Sequence, residues 1–174
     1  MKRSVQAFAP LFAAVAFFGL HNSSMAADSK LSAKDEKFVI KAAQGGTTEV
    51  QLGALAKSNA AREDVKKFGE MMVTDHAKAN ANLTKVATAK GVKLPDKLDK
   101  KHAMMVDKMT KLSGKEFDTA YVSEMVEDHK KDVAEFEKAA NELSDPDLKA
   151  FAKETLPTLK KHLEKIEQIR DAKK

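Results

Sequence analysis

The sequence has 174 residues, with 31 basic against 26 acidic side chains, a net charge of +5, and no cysteine. That excludes disulfides, thiolate metal sites and thiol nucleophiles. The charges are interspersed, and there is no Trp and a single Tyr, so the chain lacks the basic stripe with stacking aromatics that a nucleic-acid surface requires.

Lys2 and Arg3 precede an apolar run over 8–20, which is short of the roughly 20 residues a membrane span needs. Ser24 and Ala26 then occupy the small-residue positions before a signal-peptidase cut. This is the three-part pattern of a secretory signal over 1–26. The expected mature chain, 27–174, is one domain of +3 (29 basic against 26 acidic once Lys2 and Arg3 are removed) with no stable transmembrane segment. The expected location is the periplasm or outer envelope.

Four long amphipathic segments and one short one follow. The first is predicted from Ser32, with Asp35 as its capping-box partner, to about Ser58. Its stripe is Phe38, Ala42, Gly45, Glu49, Leu52 and Ala56. The pair Gly45-Gly46 either breaks it or leaves one helix that admits a close neighbour. The second runs from about Ala61 to Lys90, with Gly91 as a C-terminal cap. Its stripe includes Val65, Phe68, Met72, His76, Leu83 and Val86. The segment 91–114 carries a short helix near 99–112, where His102, Met105 and Met109 are spaced as a buried methionine face, with Cu(I) ligation as the minor alternative. Ser113 and Glu116 offer another capping box. The next segment carries Phe117, Tyr121, Met125, His129, Val133, Phe136 and Leu143. "SDPD" (144–147) stops it, and Pro146 suits the first turn of the last helix. That helix carries Leu148, Phe151, Leu156, Leu159, His162 and Ile166, and Pro157 is expected to kink it. Two tight joints and one long connection predict an all-α, ferritin-like four-helix bundle whose crossover carries a short helix.

"MVTDH" (72–76) and "MVEDH" (125–129) repeat fifty-three residues apart. In each, the histidine falls on the apolar stripe. His162 does so in the last helix and Glu49 in the first, so each long helix puts one metal-ligand type inward. Counting back to each joint places His129 and His162 within roughly 5 Å axially, and Glu49 and His76 roughly 9 Å apart. The expected site is therefore His76, His129 and His162, with Glu49 the weaker member, holding one divalent metal (Zn, Fe or Cu). Affinity is expected to fall through the usual imidazole range as pH drops. The alternative is a hydrogen-bonded core network in which Glu49 accepts from a histidine. Asp75, Asp128, Glu124, Glu127 and Asp132 read as residues facing solvent or a neighbouring helix, with support of the ligands from behind as the minor alternative for Asp75 and Asp128.

The strings "KFVIKAAQGGTTEVQLGALA", "VKKFGEMMVTDH", "GVKLP", "MVEDHKKDVAEFEKAA" and "DPDLKAFAKETLPTLKKHL" resemble the exported bacterial family called domain of unknown function 4142. The resemblance covers essentially 27–174. It implies a ferritin-like bundle in the periplasm or outer membrane and no established reaction. Dinuclear carboxylate sites of better-known ferritin-like proteins place Glu three residues before His. Here Val73, Val126 and Leu159 stand there, which argues against ferroxidase or di-iron oxygenase chemistry. Three roles remain open: an exported metal-binding bundle, a structural, interaction or stress protein of the envelope without metal, and a metal-dependent oxidoreductase. No substrate and no protein partner can be read from the sequence.

Overall fold

The computed structural model describes residues 31–172; the expected signal segment lies outside them. The described residues form α1 (Ala33–Asn59), α2 (Glu63–Ala89), α3 (Lys100–Thr110), α4 (Gly114–Glu142) and α5 (Pro146–Asp171). No helix among them is long and apolar enough to cross a membrane.

Local chemistry explains the boundaries. Ser32 caps α1 by accepting from the Asp35 N–H at 3.1 Å. α1 then runs unbroken through Gly45-Gly46. At the end of α2, Gly91 has φ of 70°. Its N–H donates to Thr88 O, and the Val92 N–H donates to Ala87 O. This αL glycine turns the chain and satisfies two terminal carbonyls. Asp145 caps α5 by accepting from the Asp147 and Leu148 N–H groups, with Pro146 in the first turn, and α5 continues through Pro157. The Ser113 capping box does not form: Gly114 enters α4 at φ of 61°, a conformation that does not set the preceding hydroxyl over the helix end.

The two joints are tied by the same device. The buried Asp118 carboxylate of α4 accepts from the Ala61 and Arg62 N–H groups at 3.1 and 3.0 Å, between α1 and α2. The buried Asp35 carboxylate of α1 accepts from the Ser144 and Asp145 N–H groups at 3.0 and 3.2 Å, between α4 and α5. Each hairpin therefore satisfies the other's orphan donors. The crossover returns the chain to the end where it left α1, where Ala60 and Gly114 form a parallel bridge. The result is two antiparallel hairpins, α1–α2 and α4–α5, joined by a crossover that carries α3, the ferritin-like connection.

Two apolar clusters fill the bundle. One holds Leu52, Phe68, Met72, Met109, Phe117, Tyr121, Met125 and Ile166. The other holds Phe38, Leu83, Phe136, Leu148, Phe151 and Leu159. Met109 of α3 is buried and His102 is half-buried, so the crossover methionines are packing residues. Leu156, expected in the core, is only half-buried at the rim of the second cluster, because Ala152 and Leu159 occupy the centre of that stripe. The Phe136 ring meets Phe38 edge-on at 5.3 Å and Phe151 at 6.0 Å. Phe136→Ala is expected to destabilise by about 3–5 kcal/mol in urea denaturation; a change below about 1 kcal/mol would remove Phe136 from the core.

α1 and α2 pack tightly where Gly53 and Gly69 face each other. A methyl on Gly69 would lie 2.6 Å from Gly53 O and 2.7 Å from Ala56 Cβ. Gly69→Ala gains up to about 1 kcal/mol of helix propensity, yet it must push two backbones apart. Net destabilisation of about 1–3 kcal/mol is expected. A Gly69→Ala protein more stable than the parent would refute the tight contact.

Candidate metal centre

The polar layer of the bundle lies between the two apolar clusters. His76, His129 and His162 are buried, at 5 %, 0 % and 0 % exposure, and Glu49 is 1 % exposed. Periodicity puts them there, since each shares its stripe with residues of both clusters. Imidazole centroids are 5.9 Å apart for His76–His129, 5.2 Å for His76–His162 and 5.4 Å for His129–His162. One ring nitrogen from each histidine lies within 4.8 Å of the others. The structure thus brings together all four residues that the stripes select.

The Glu49 Oε2–His76 Nδ1 distance is 2.9 Å, and Glu49 Oε1 lies 3.5 Å from His129 Nε2. The axial offset read from the sequence was too large. The Ala60–Arg62 joint is extended rather than helical, so Glu49 sits ten residues before the end of α1 and His76 thirteen after the start of α2. That is a difference of roughly 5 Å.

Each imidazole has one nitrogen anchored. His129 Nδ1 lies 2.9 Å from the Met125 carbonyl, which can only accept, so this nitrogen carries the proton. His162 Nε2 lies 2.9 Å from Asp75 Oδ2, and His76 Nδ1 faces Glu49. The opposite nitrogens, His76 Nε2, His129 Nε2 and His162 Nδ1, are buried and have no hydrogen-bond partner. Phe68 closes one side, 6.3 Å from both His129 and His162.

Burial sets the protonation. It holds His76 down at about 4, against the opposing pull of Asp132, Asp75 and Asp128. Burial, then the neighbouring His76 and His162, hold His129 at about 3. His162 is also lowered by burial, partly offset by its bond to Asp75. Glu49 is pushed well above the usual carboxylate range by burial and then by Asp128, with Asp132 opposing. With His76 lowered and Glu49 raised, their 2.9 Å contact is a neutral hydrogen bond and not an ion pair.

Three acidic residues beside the site lie off the apolar stripes. Asp75 faces the neighbouring helix, where it holds His162 across the α2–α5 interface. Asp128 and Asp132 are half-buried, and one oxygen from each lies within 4.8 Å of Glu49's. Burial is the main cause that raises both, and Glu49 adds to the shift at Asp132. The Tyr121 hydroxyl is buried without a partner. The spacing of Asp132, three residues after His129, is the one signal that could have placed it on the same face.

The donor set fits a metal. Zn–N bonds near 2.0–2.1 Å would bring three nitrogens to roughly 3.3 Å from one another, a modest contraction for atoms that already lie within 4.8 Å. The anchored second nitrogens are what a metal-binding histidine requires to fix its tautomer and ring.

Fold and site together define a ferritin-like four-helix bundle with a buried three-histidine, one-carboxylate core. The chain belongs to the family described as a domain of unknown function, DUF4142, which matches residues 20–169. No curated protein matches it. Among solved structures it is similar to a DUF305 fragment from Deinococcus radiodurans, with a TM-score of 0.69 at 14 % identity over 80 % of this chain and 96 % of that one. It is also similar to CopM in the Cu(II)-bound form, with a TM-score of 0.67 at 14 % identity over 80 % and 97 % of the two chains. A DUF305 protein from Streptomyces coelicolor, described as secreted, gives 0.65 at 14 % identity over 83 % and 93 %. At that identity the likeness establishes the fold alone.

Proposed function

We propose that the protein is an exported metal-binding bundle that holds one divalent ion through His76, His129 and His162, with Glu49 beside it as hydrogen-bond partner or fourth ligand. The carrying observation is that three buried imidazoles each bring a ring nitrogen within 4.8 Å of the others, while each ring has one anchored nitrogen and one without a hydrogen-bond partner. In an apo core built only for packing, those three nitrogens would stay desolvated and unpaired at a cost of about 1–3 kcal/mol each. A metal satisfies all three. Imidazole suits Zn, Cu, Fe and Ni, and the similar fold of Cu(II)-bound CopM adds support. The geometry supports binding, whether for storage, sensing or protection. The signal over 1–26 and the periplasmic or envelope location belong to the same reading.

The test is metal analysis of protein taken from its native compartment, with calorimetric titration of the stripped chain by Zn(II), Cu(II) and Fe(II). One equivalent per chain is expected at the histidine site. A chain that binds none of the three would leave a structural or interaction protein of the envelope, with the histidines as a hydrogen-bonded core.

A further inference from the structure

Beside the imidazoles lies a second group of ligand type. Glu49, Asp128 and Asp132 each offer a carboxylate oxygen within 4.8 Å of the other two. Carboxylates this close repel unless a proton or a cation lies between them. Among the described residues no lysine or arginine forms an ion pair with any of the three: Lys131 and Lys101 act on Asp128 only from a distance, Lys131 pairs with Glu127, and Lys41 pairs with Glu135. Glu49 is 1 % exposed, and its Oε1 has no hydrogen-bond partner. A cavity of about 30 Å³ is bordered by Glu49, Asp132 and His76, with Lys41, Gly45 and Asn80 on its other sides. It has room for an atom or two of water size.

The architecture gives Asp132 a further reason to be a counterpart of Glu49. Asp35 and Asp118 hold equivalent places, each tying the opposite hairpin's joint. Fourteen residues after Asp35 comes Glu49, and fourteen after Asp118 comes Asp132. Fourteen residues is close to four helical turns, so each carboxylate sits on the same face as its joint-tying aspartate, at the same depth. The chain thus sends one acid inward from α1 and one from α4, and Asp128 lies one turn from Asp132 on the same face.

We propose that Glu49, Asp128 and Asp132 form a second cation site, for a hard divalent ion of the Mn(II) type, that adjoins the imidazole site and shares Glu49 as its border. The ligands are all oxygen, which selects such ions over the softer ones that imidazole prefers. An ion of this type keeps waters in its shell, and the cavity lined by Gly45 and Gly46 supplies their space. The two sites differ in hardness, so they can be filled separately. The carboxylate site does not depend on the imidazole reading except through Glu49.

The experiment is titration with Mn(II) of the full folded chain preloaded with one equivalent of Zn(II), read by calorimetry and by the Mn(II) electron paramagnetic resonance signal. The wild type is expected to take one Mn(II). Asp132→Asn and Asp128→Asn, both near-isosteric and checked for helicity by circular dichroism, are each expected to weaken Mn(II) at least tenfold and to leave Zn(II) stoichiometry unchanged. Absence of Mn(II) binding, or equal Mn(II) affinity in wild type and both variants, overturns the proposal. The two readings fail separately. Zn(II) bound without Mn(II) sinks the carboxylate site alone. Mn(II) bound with the expected variant dependence, but no Zn(II), sinks the imidazole site alone. Should Asp132→Asn lose helicity, the Asp128→Asn result decides.

Discussion

His76→Ala is expected to lower Zn(II) and Cu(II) affinity by more than about 100-fold, whereas His102→Ala leaves it within about twofold. His76 contributes one of the three ring nitrogens of the buried histidine group that lack a hydrogen-bond partner, and its ring lies within 6 Å of the other two members of that group. Loss of a mere outer partner typically costs 10–100-fold in metal affinity, and loss of a ligand costs more. Asp75→Ala tests that lower step directly, because Asp75 Oδ2 is what fixes His162 Nε2; it is expected to fall in the 10–100-fold range. His102 sits on the crossover helix, with Nδ1 2.9 Å from Asp99 Oδ1, outside the group. The expected order of loss in calorimetric titration is therefore His76→Ala, then Asp75→Ala, then His102→Ala. Equal affinity for wild type and His76→Ala would mean that the repeated pentapeptide serves packing alone.

The inward histidines were legible because a helix stripe is a local property. Met72 and Met125 stand four residues before His76 and His129, and Leu159 and Ile166 flank His162. A 3.6-residue period then puts these side chains on the core side without knowledge of the partner helix. The topology was legible for a similar reason, since joint lengths alone separate tight hairpins from a crossover. What the sequence hides depends on which helix lies next door. Asp75 is rotated about 100° from His76. Whether that direction meets water or His162 is decided by the packing of α2 against α5, which no local pattern encodes. Asp132 was hidden differently. It follows Lys130 and Lys131 and reads as part of a solvated charge run, although its three-residue spacing from His129 turns it inward. The depth of Glu49 was misjudged because three joint residues were counted as helical rise.

Between pH 7.5 and 5.5 the metal affinity of the folded chain is expected to fall by no more than about tenfold per pH unit, far less than ordinary imidazoles would give. Three histidines with the usual value near 6.5 would each lose about tenfold over that span, on the order of 1000-fold together. Here burial has already removed those protons, with His76 at about 4 and His129 at about 3. The expectation drawn from residue type alone, a loss through the usual imidazole range, is thus displaced to lower pH. One group works the other way. Glu49 is raised and must give up its proton if it binds the ion directly, so a loss of about tenfold per unit marks Glu49 as a ligand and a flat profile marks it as a hydrogen-bond partner. The same shifts act on folding of the metal-free chain with a definite sign. A histidine lowered by folding leaves the unfolded chain holding more protons between its folded value and about 6.5, so stability falls as pH drops through that window. The raised carboxylates Glu49, Asp128 and Asp132 oppose this, because the folded chain holds their protons to higher pH than the unfolded chain does. The histidine part is isolated by difference. Between pH 6.5 and 5, the wild type is expected to lose about 2 kcal/mol more than His129→Gln in urea denaturation, one proton's worth over that interval. Equal pH dependence for the two proteins, or a thousandfold fall in metal affinity between pH 7.5 and 5.5, would show that His129 titrates as an ordinary, solvated imidazole and that the core is not dry.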